Sequence, residues 1–151
     1  MSVWCPRATV ATVVVDAQQR YLMVEEYDRQ SGQRVFNQPA GHLEPGETLQ
    51  AAALRETLEE TGWTVTLTGV IGISLWTPAE GMPTFLRTTF LARPDARDPK
   101  ASIDPDILAV HWFGHADLRS LSARMRSPLV FASIERARSG TVYPLDSIFT
   151  Q

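Results

Sequence analysis

The first long hydrophobic block, Ala8 to Val15, carries Thr9, Val10, Thr12, Val13, Val14 and Val15, β-branched residues that suit a pleated, half-buried surface. A polar turn, Asp16-Ala17-Gln18-Gln19, interrupts it, and Tyr21 to Val24 resumes the apolar run, so the pattern predicts a hairpin. Tyr27 to Arg34 is polar and contains Ser31-Gly32, which predicts a loop. Pro39, Gly41, Pro45 and Gly46 break regular structure and predict a shaped loop between Asn37 and Gly46. Thr48 to Thr61 has neither Gly nor Pro and is rich in Ala, Leu, Glu and Arg, which predicts a helix stopped at Gly62. Strands are predicted at Val65 to Leu67, Val70 to Trp76, Thr84 to Leu91 and Leu108 to Phe113. A second helix is predicted from Pro128 to Arg138, with Ser127 as its N-cap and Gly140 just beyond its end. Arg93 to Pro105, with prolines at 94, 99 and 105, reads as a surface loop. Strands interspersed with two helices predict one mixed α/β domain over residues 1–151, its helices packed on a sheet.

Composition narrows the function classes. The 151 residues are 44% hydrophobic, enough for a buried core and too apolar for a disordered chain. Against 17 acidic side chains stand 14 basic ones, a net charge of -3, which argues against a surface made to coat nucleic acid. The lone cysteine, Cys5, excludes an internal disulfide and any Cys-built zinc site, and fits a reducing compartment. No apolar run approaches the roughly 20 residues that span a bilayer, and the N-terminal run lacks a basic flank and a small-residue cleavage pattern. A cytoplasmic protein without membrane contact is expected.

The chemistry sits on the first helix. At about 100° per residue, with Glu56 at zero, Glu60 falls at about +40° and Glu59 at about -60°. Leu54, Leu58 and Ala51 lie within about 40° of the opposite side, so the wheel predicts that they are buried while the three carboxylates converge beside the small Ala52. Three acids on adjacent turns repel one another. Either the face is simply solvated, or a cation offsets the charge, and hard oxygen ligands at this density suit Mg²⁺ or Mn²⁺.

The spacing around the helix decides between these readings. Gly41, five residues, Glu47, seven residues, then Arg55-Glu56-Thr57-Leu58-Glu59-Glu60-Thr61-Gly62-Trp63 resembles the signature of the Nudix hydrolase family at all seven of its fixed positions. It departs at Thr57, where the family often has an aliphatic residue, and at Trp63, which is larger than usual. The resemblance implies an α/β/α sandwich with a mixed sheet, the signature forming loop–helix–loop, and hydrolysis of a phosphoanhydride with a divalent metal. By the same resemblance Glu56, Glu59 and Glu60 form the metal face, the Ala40 carbonyl adds a ligand, and Glu47 with Arg55 orients the glutamates. Glu59 is the carboxylate expected nearest the attacking water, although the family's base can lie outside the signature. Further runs, Asn37 to Glu44, Phe85-Leu86-Arg87, Arg126 to Val130 with Ser133-Ile134, and Tyr143-Pro144-Leu145, resemble one branch of bacterial phosphatases in that family. That branch releases orthophosphate from thiamine pyrophosphate, its pyrimidine precursor and nucleoside di- and triphosphates.

A polyanionic substrate calls for cations beside the acids. Arg87, interrupting the strand Thr84 to Phe90, is the first candidate for a phosphate clamp, with Arg7 and Arg126 behind it. Asp104 and Asp106, flanking Pro105, are possible sources of an outside base or substrate contact. Trp76, at the end of an apolar strand and before Thr77-Pro78, is the favoured stacking residue among Trp4, Phe36, Trp76 and Phe85. His42, His111 and His115 have no zinc-site spacing. The expected partner is a small phosphoanhydride, with no nucleic acid, and the chain acts as a monomer or homodimer. Within the family, an oxidised-nucleotide sanitiser and an ADP-sugar hydrolase share this helix, and a non-catalytic nucleotide sensor would have lost one of its three glutamates.

Overall fold

A computed structural model describes residues 3–151. The elements run β1 (Arg7–Val14), β2 (Tyr21–Tyr27), β3 (Arg34–Asn37), β4 (Ala40–His42), α1 (Leu49–Thr61), β5 (Trp63–Trp76), β6 (Phe85–Arg97), β7 (Ile107–Phe113), α2 (His115–Ser120) and α3 (Pro128–Arg138). Short 3-10 turns fall at Ser122–Arg124 and Leu145–Ser147. Two sheets form, one in the order β4-β1-β6-β5 and one in the order β3-β2-β7. The first is mixed: β1 runs parallel to β6, while β4 and β5 are antiparallel to their neighbours.

Alternation along β1 builds the layers. Val10 joins Ala52, Ala53, Val70 and Phe90 beneath α1, whereas Val13 joins Ile71, Val130 and Ile134 on the α3 side. The result is a mixed sheet with a helix on each face, as the resemblance implies. A third cluster, Val14, Leu22, Val65 and Ala92, ties the two sheets together.

Three expectations are corrected. β1 and β2 do not make a hairpin; a single antiparallel bridge, Val15 to Tyr21, joins them before they part into different sheets. The Asp16 carboxylate closes the turn instead, accepting from the Gln18 and Arg20 N–H groups at 3.0 and 2.8 Å. The loop from Asn37 to Gly46 contains a short strand, β4, on the edge of the first sheet. β6 runs on to Arg97 through Pro94, because pairing with β1 ends at Ala92 and leaves that side of the strand without a ladder that needs the missing N–H.

α1 begins at Thr48, whose hydroxyl accepts from the Ala51 N–H at 3.0 Å, and ends at Gly62 in the left-handed region at φ 73°. Its buried side is not the one expected. Leu54 and Leu58 are 40% and 37% exposed and Ala51 is exposed, while Ala52, Ala53, Thr57, Glu60 and Thr61 are buried. Small side chains let the helix lie close on the sheet, and Thr57 fits there because its hydroxyl pairs with Thr12 and with the Ala53 carbonyl, both at 2.8 Å. Glu60 and, in part, Glu56 therefore turn towards the sheet, while Glu59 stays exposed. Trp63, the other departure from the signature, packs edge-on against Trp112 with ring centroids 5.5 Å apart. No helix among the described residues is long and apolar enough to cross a membrane.

Candidate active site

The site begins with the backbone of β4. The Thr12 N–H donates to the Pro39 carbonyl and the Leu43 N–H to the Ala8 carbonyl, with Gly41 opposite Val10 between them. In an antiparallel ladder the alternate residues, Ala40 and His42, therefore turn both N–H and C=O to the outer edge. α1 lies along that edge and uses it. The Ala40 N–H donates to Glu60 Oε2 at 3.1 Å, and Arg55 Nη2 donates to the His42 carbonyl at 3.1 Å.

Arg55 binds the rest together. Its Nε and Nη2 grip both oxygens of Glu47, and its Nη1 donates to Glu56 Oε1 at 2.8 Å and to Glu59 Oε2 at 3.2 Å. Glu47 in turn accepts from the Glu44 N–H at 3.0 Å, so one guanidinium fixes the loop ahead of the helix to two of its carboxylates. The Arg55 hydrogen bond holds Glu47 below the usual carboxylate range, and Glu47 raises Arg55 above its own. Gly41 has a steric duty here: a Cβ would overlap the Glu56 carboxylate. Gly41→Ala is expected to lower kcat by about 10²-fold through that displacement, with Tm within a few degrees of wild type. Phosphate-release kinetics beside a melting curve check both halves.

The three glutamates share a helix face but are not gathered into a cage. Glu59 is 52% exposed at its side chain and rests on Arg55; Glu60 is turned to the Ala40 N–H. Among the described residues no three His, Cys, Asp or Glu side chains stand together as a ready metal site. The donor set nonetheless fits a hard divalent ion in kind. It is oxygen only, with the Ala40 carbonyl on the free edge; Arg55 pairs with Glu56, whereas the buried Glu60 is held by a neutral N–H. Burial pushes Glu60 up to about 9, against the Ala40 N–H that favours its ionised form, and Glu26, Glu56 and Asp104 add repulsion. Burial also raises Glu56, with the Arg55 pairing opposing it.

Unfolded glutamates ionise near 4.5, whereas folded Glu60 holds its proton up to about 9, so across that interval the folded state binds more protons. For this group stability is full below about 4.5 and is lost as pH rises through about 9. The Tm of chelator-treated protein should fall from pH 6 to pH 9, and millimolar Mg²⁺ should restore it most at the alkaline end. Scanning calorimetry with and without the ion reads this directly.

The sheet face opposite α1 carries the cations and aromatics in register. One row across the strands is Ser74, Arg87, Thr9 and His42; the next is Trp76, Phe85 and Arg7. Trp76 stacks on Phe85 with centroids 6.1 Å apart, and the His42 ring lies 6.4 Å from Phe85. Arg87 is half-buried; desolvation pulls it down to about 10, opposed by the charges of Glu60 and Glu26. Its Nη1 is buried without a partner, as is Thr9 Oγ1 beside it in the row. Arg7, at the exposed start of β1, stands at the rim. Arg126 is engaged already, donating to Glu26 Oε1 at 3.1 Å. Asp104 joins by its backbone, whose N–H donates to the Glu59 carbonyl at 2.9 Å, while its carboxylate accepts from the Asp106 N–H.

Other candidates lie elsewhere. Asp106 pairs with Arg29 on the surface, Phe36 is core, and Trp4 is exposed at the N-terminal end. His111 pairs with Glu25, and His115 with Glu135. Reading the sequence missed Glu26, which accepts from Asn37 Nδ2 at 3.2 Å as well as from Arg126 and lies near Glu60 and Arg87. The only signal was a pair of acids, Glu25-Glu26, ending an otherwise apolar strand.

The family described as the NUDIX domain matches residues 6–132. The chain is 40% identical over 143 residues to the phosphatase NudJ of Escherichia coli K12, covering 95% of this chain and 90% of that one. A NUDIX hydrolase from Nitrosomonas europaea superposes with a TM-score of 0.92 at 40% identity, covering 97% of this chain and 98% of that one. The NUDIX domain of Shewanella oneidensis NrtR, solved with ADP ribose, shares the fold at a TM-score of 0.74 and 17% identity, over 91% of this chain and 90% of that one. With the helix hung on the β4 edge and the family's match running through it, the chain belongs to the Nudix hydrolases.

Proposed function

We propose that this hydrolase cuts the terminal phosphoanhydride of small organic diphosphates and nucleoside di- or triphosphates, releasing orthophosphate. The observation that carries the reading is Arg87: a half-buried guanidinium whose Nη1 has no partner, in the sheet row next to that of Arg7, has a donor to offer a phosphoryl oxygen. The likeness to the phosphatase NudJ over nearly the whole chain supports the choice of bond.

A divalent cation, Mg²⁺ with Mn²⁺ as substitute, would be held by Glu56, Glu59, Glu60 and the Ala40 carbonyl, and when bound would offset the substrate's negative charge. The chain's own residues do the rest. Arg87 and Arg7 hold phosphoryl oxygens, and Arg126 joins them by leaving Glu26. Glu59, the exposed member of the three, takes the proton of the water whose oxygen attacks the terminal phosphorus; the bridging P–O bond breaks, and its electron pair leaves with the remaining phosphate. Arg55, anchored on Glu47, holds Glu59 and Glu56 in line for this. Trp76, backed by Phe85, gives the organic group an apolar edge, and Asp104 fixes the end of the helix against the strand that follows. The lone cysteine supports work in the reducing cytoplasm.

The test is a product assay with Mg²⁺ on thiamine pyrophosphate, its pyrimidine precursor, ordinary and oxidised nucleoside triphosphates, and ADP-ribose, with Glu59→Gln alongside. Orthophosphate from the diphosphates and triphosphates, lost in the variant, is the expected result. Pyrophosphate from triphosphates would mark a sanitiser, cleavage of ADP-ribose alone an ADP-sugar hydrolase, and binding without any product a sensor.

A further inference from the structure

Strand β5 pairs with β6 on one side and ends its sheet on the other. The chain covers that outer edge only in part. Tyr143 exchanges N–H and C=O with Val70, both at 2.8 Å, and the Arg136 guanidinium donates to the Ile71 carbonyl at 3.2 Å. Beyond them the ladder is open. On β6 the Thr84 and Ala92 carbonyls accept from Arg7 and Val15, so by alternation Phe85, Arg87 and Thr89 turn to β5 and engage Trp76, Ser74 and Gly72. Ile73 and Leu75 therefore turn N–H and C=O outward, and among the described residues nothing pairs with them.

Their side chains are as open as their backbone. Each is 64% exposed, on the sheet face that Val10 and Phe90 occupy further in. Edge strands are normally blunted with lysine or proline, yet β5 has no charged residue and no proline from Trp63 to Trp76.

Two exposed aliphatic side chains on an open ladder suit a second copy of the same segment. Antiparallel pairing about a twofold axis at Ser74 sets Ile73 opposite Leu75 on both sides of the axis, so that every open N–H and C=O finds a partner and the aliphatic side chains meet. On the other face the same register sets Trp76 opposite Gly72, the bulkiest residue of the segment against the one without a side chain. Gly72 lies at a groove of about 220 Å³ between β5 and α3, lined also by Ser74, Leu129 and Ala132, which gives the facing indole room. The neighbouring registers lose these fits. Pairing Ile73 with itself brings Leu75 against Ile71, whose carbonyl Arg136 already holds; pairing Leu75 with itself brings Gly72 against Pro78, which has no N–H.

We infer that the open end of β5 is the interface of a twofold homodimer, in which Ile73 to Trp76 of two copies pair antiparallel and one sheet runs on into the other. No charge is buried by this pairing, and it is independent of the reaction proposed above. It takes fewer residues than the roughly 20–30 a side of a standard interface, so a dimer that forms at micromolar concentration is expected.

Sedimentation velocity over micromolar to millimolar protein should show wild type passing from monomer to dimer. Leu75→Lys should weaken the dimer about tenfold or more with Tm unchanged, because it sets a charge on the pairing edge. Cysteines then read the register in a Cys5→Ser background. Ser74→Cys should form an intermolecular disulfide on oxidation, since residues that face each other without backbone bonds have Cα atoms about 4.5 Å apart. Ile73→Cys, diagonal to its own copy at about 7–8 Å, should stay largely unlinked. This contrast holds even if the lysine variant folds poorly. A wild type that stays monomeric throughout, a dimer untouched by a folded Leu75→Lys, or equal linking of the two cysteine variants would overturn the inference.

Discussion

Glu60→Gln is expected to be about 10³-fold slower than wild type and, in the absence of divalent ions, more heat-stable at pH 8. The two effects have one cause. Glu60 is buried beside Glu56 and Glu26, and burial lifts it to about 9, so the native state carries a carboxyl whose charged form it disfavours. The amide keeps the shape, gives its oxygen to the Ala40 N–H, and removes the desolvation and the repulsion together. What is lost is the anionic donor on which the proposed metal depends. Phosphate-release kinetics and melting curves on the same preparation check the pair of outcomes. A variant that keeps more than a tenth of the activity would show that the carboxylate of Glu60 is not needed; one that melts lower would show that burial had been compensated.

The second large effect belongs to Arg87. Arg87→Lys preserves the charge and yet should raise KM by about 10- to 100-fold with a smaller change in kcat. The guanidinium is half-buried on the sheet face, and its unpartnered Nη1 is a second prong that an ammonium does not have. A lysine there would also be a more strongly hydrated cation on a half-buried face, within the field of Glu60 and Glu26. Steady-state kinetics over a wide substrate range separate the two constants. An unchanged KM would take Arg87 out of substrate binding and make it the counter-charge of its acidic neighbours alone.

The signature helix was legible in the sequence from its composition and its Gly62 stop, and Thr48, read as its first residue, is its N-cap. Which side it buries was not. The wheel assigns burial by hydrophobicity, but here closeness to the sheet selects Ala52, Ala53 and Thr57, and leaves Leu54 and Leu58 outside. The hairpin between β1 and β2 failed for a related reason: local pattern marks where strands start and stop, while the choice of sheet is made by distant partners, β6 and β4 for one strand and β7 and β3 for the other. Glu26 was illegible because its meaning lies in contacts across as many as 100 residues of sequence, that from Arg126 among them. Spacing motifs see only neighbours along the chain. The β4 edge is the middle case: Pro39 and Gly41 signalled an unusual backbone, and only strand pairing revealed that it was a ladder with one side left open.

The parting of β1 and β2 has a consequence for inheritance. The acids and Arg55 are tied to the β4 edge of one sheet, while Glu26 and Asn37 ride on the other, and a single bridge joins the strands where the sheets separate. Changes on β2 and β3 can therefore accumulate without disturbing the network that ties α1 to β4. A lineage can thus redraw one wall of the fold while the other stands unchanged.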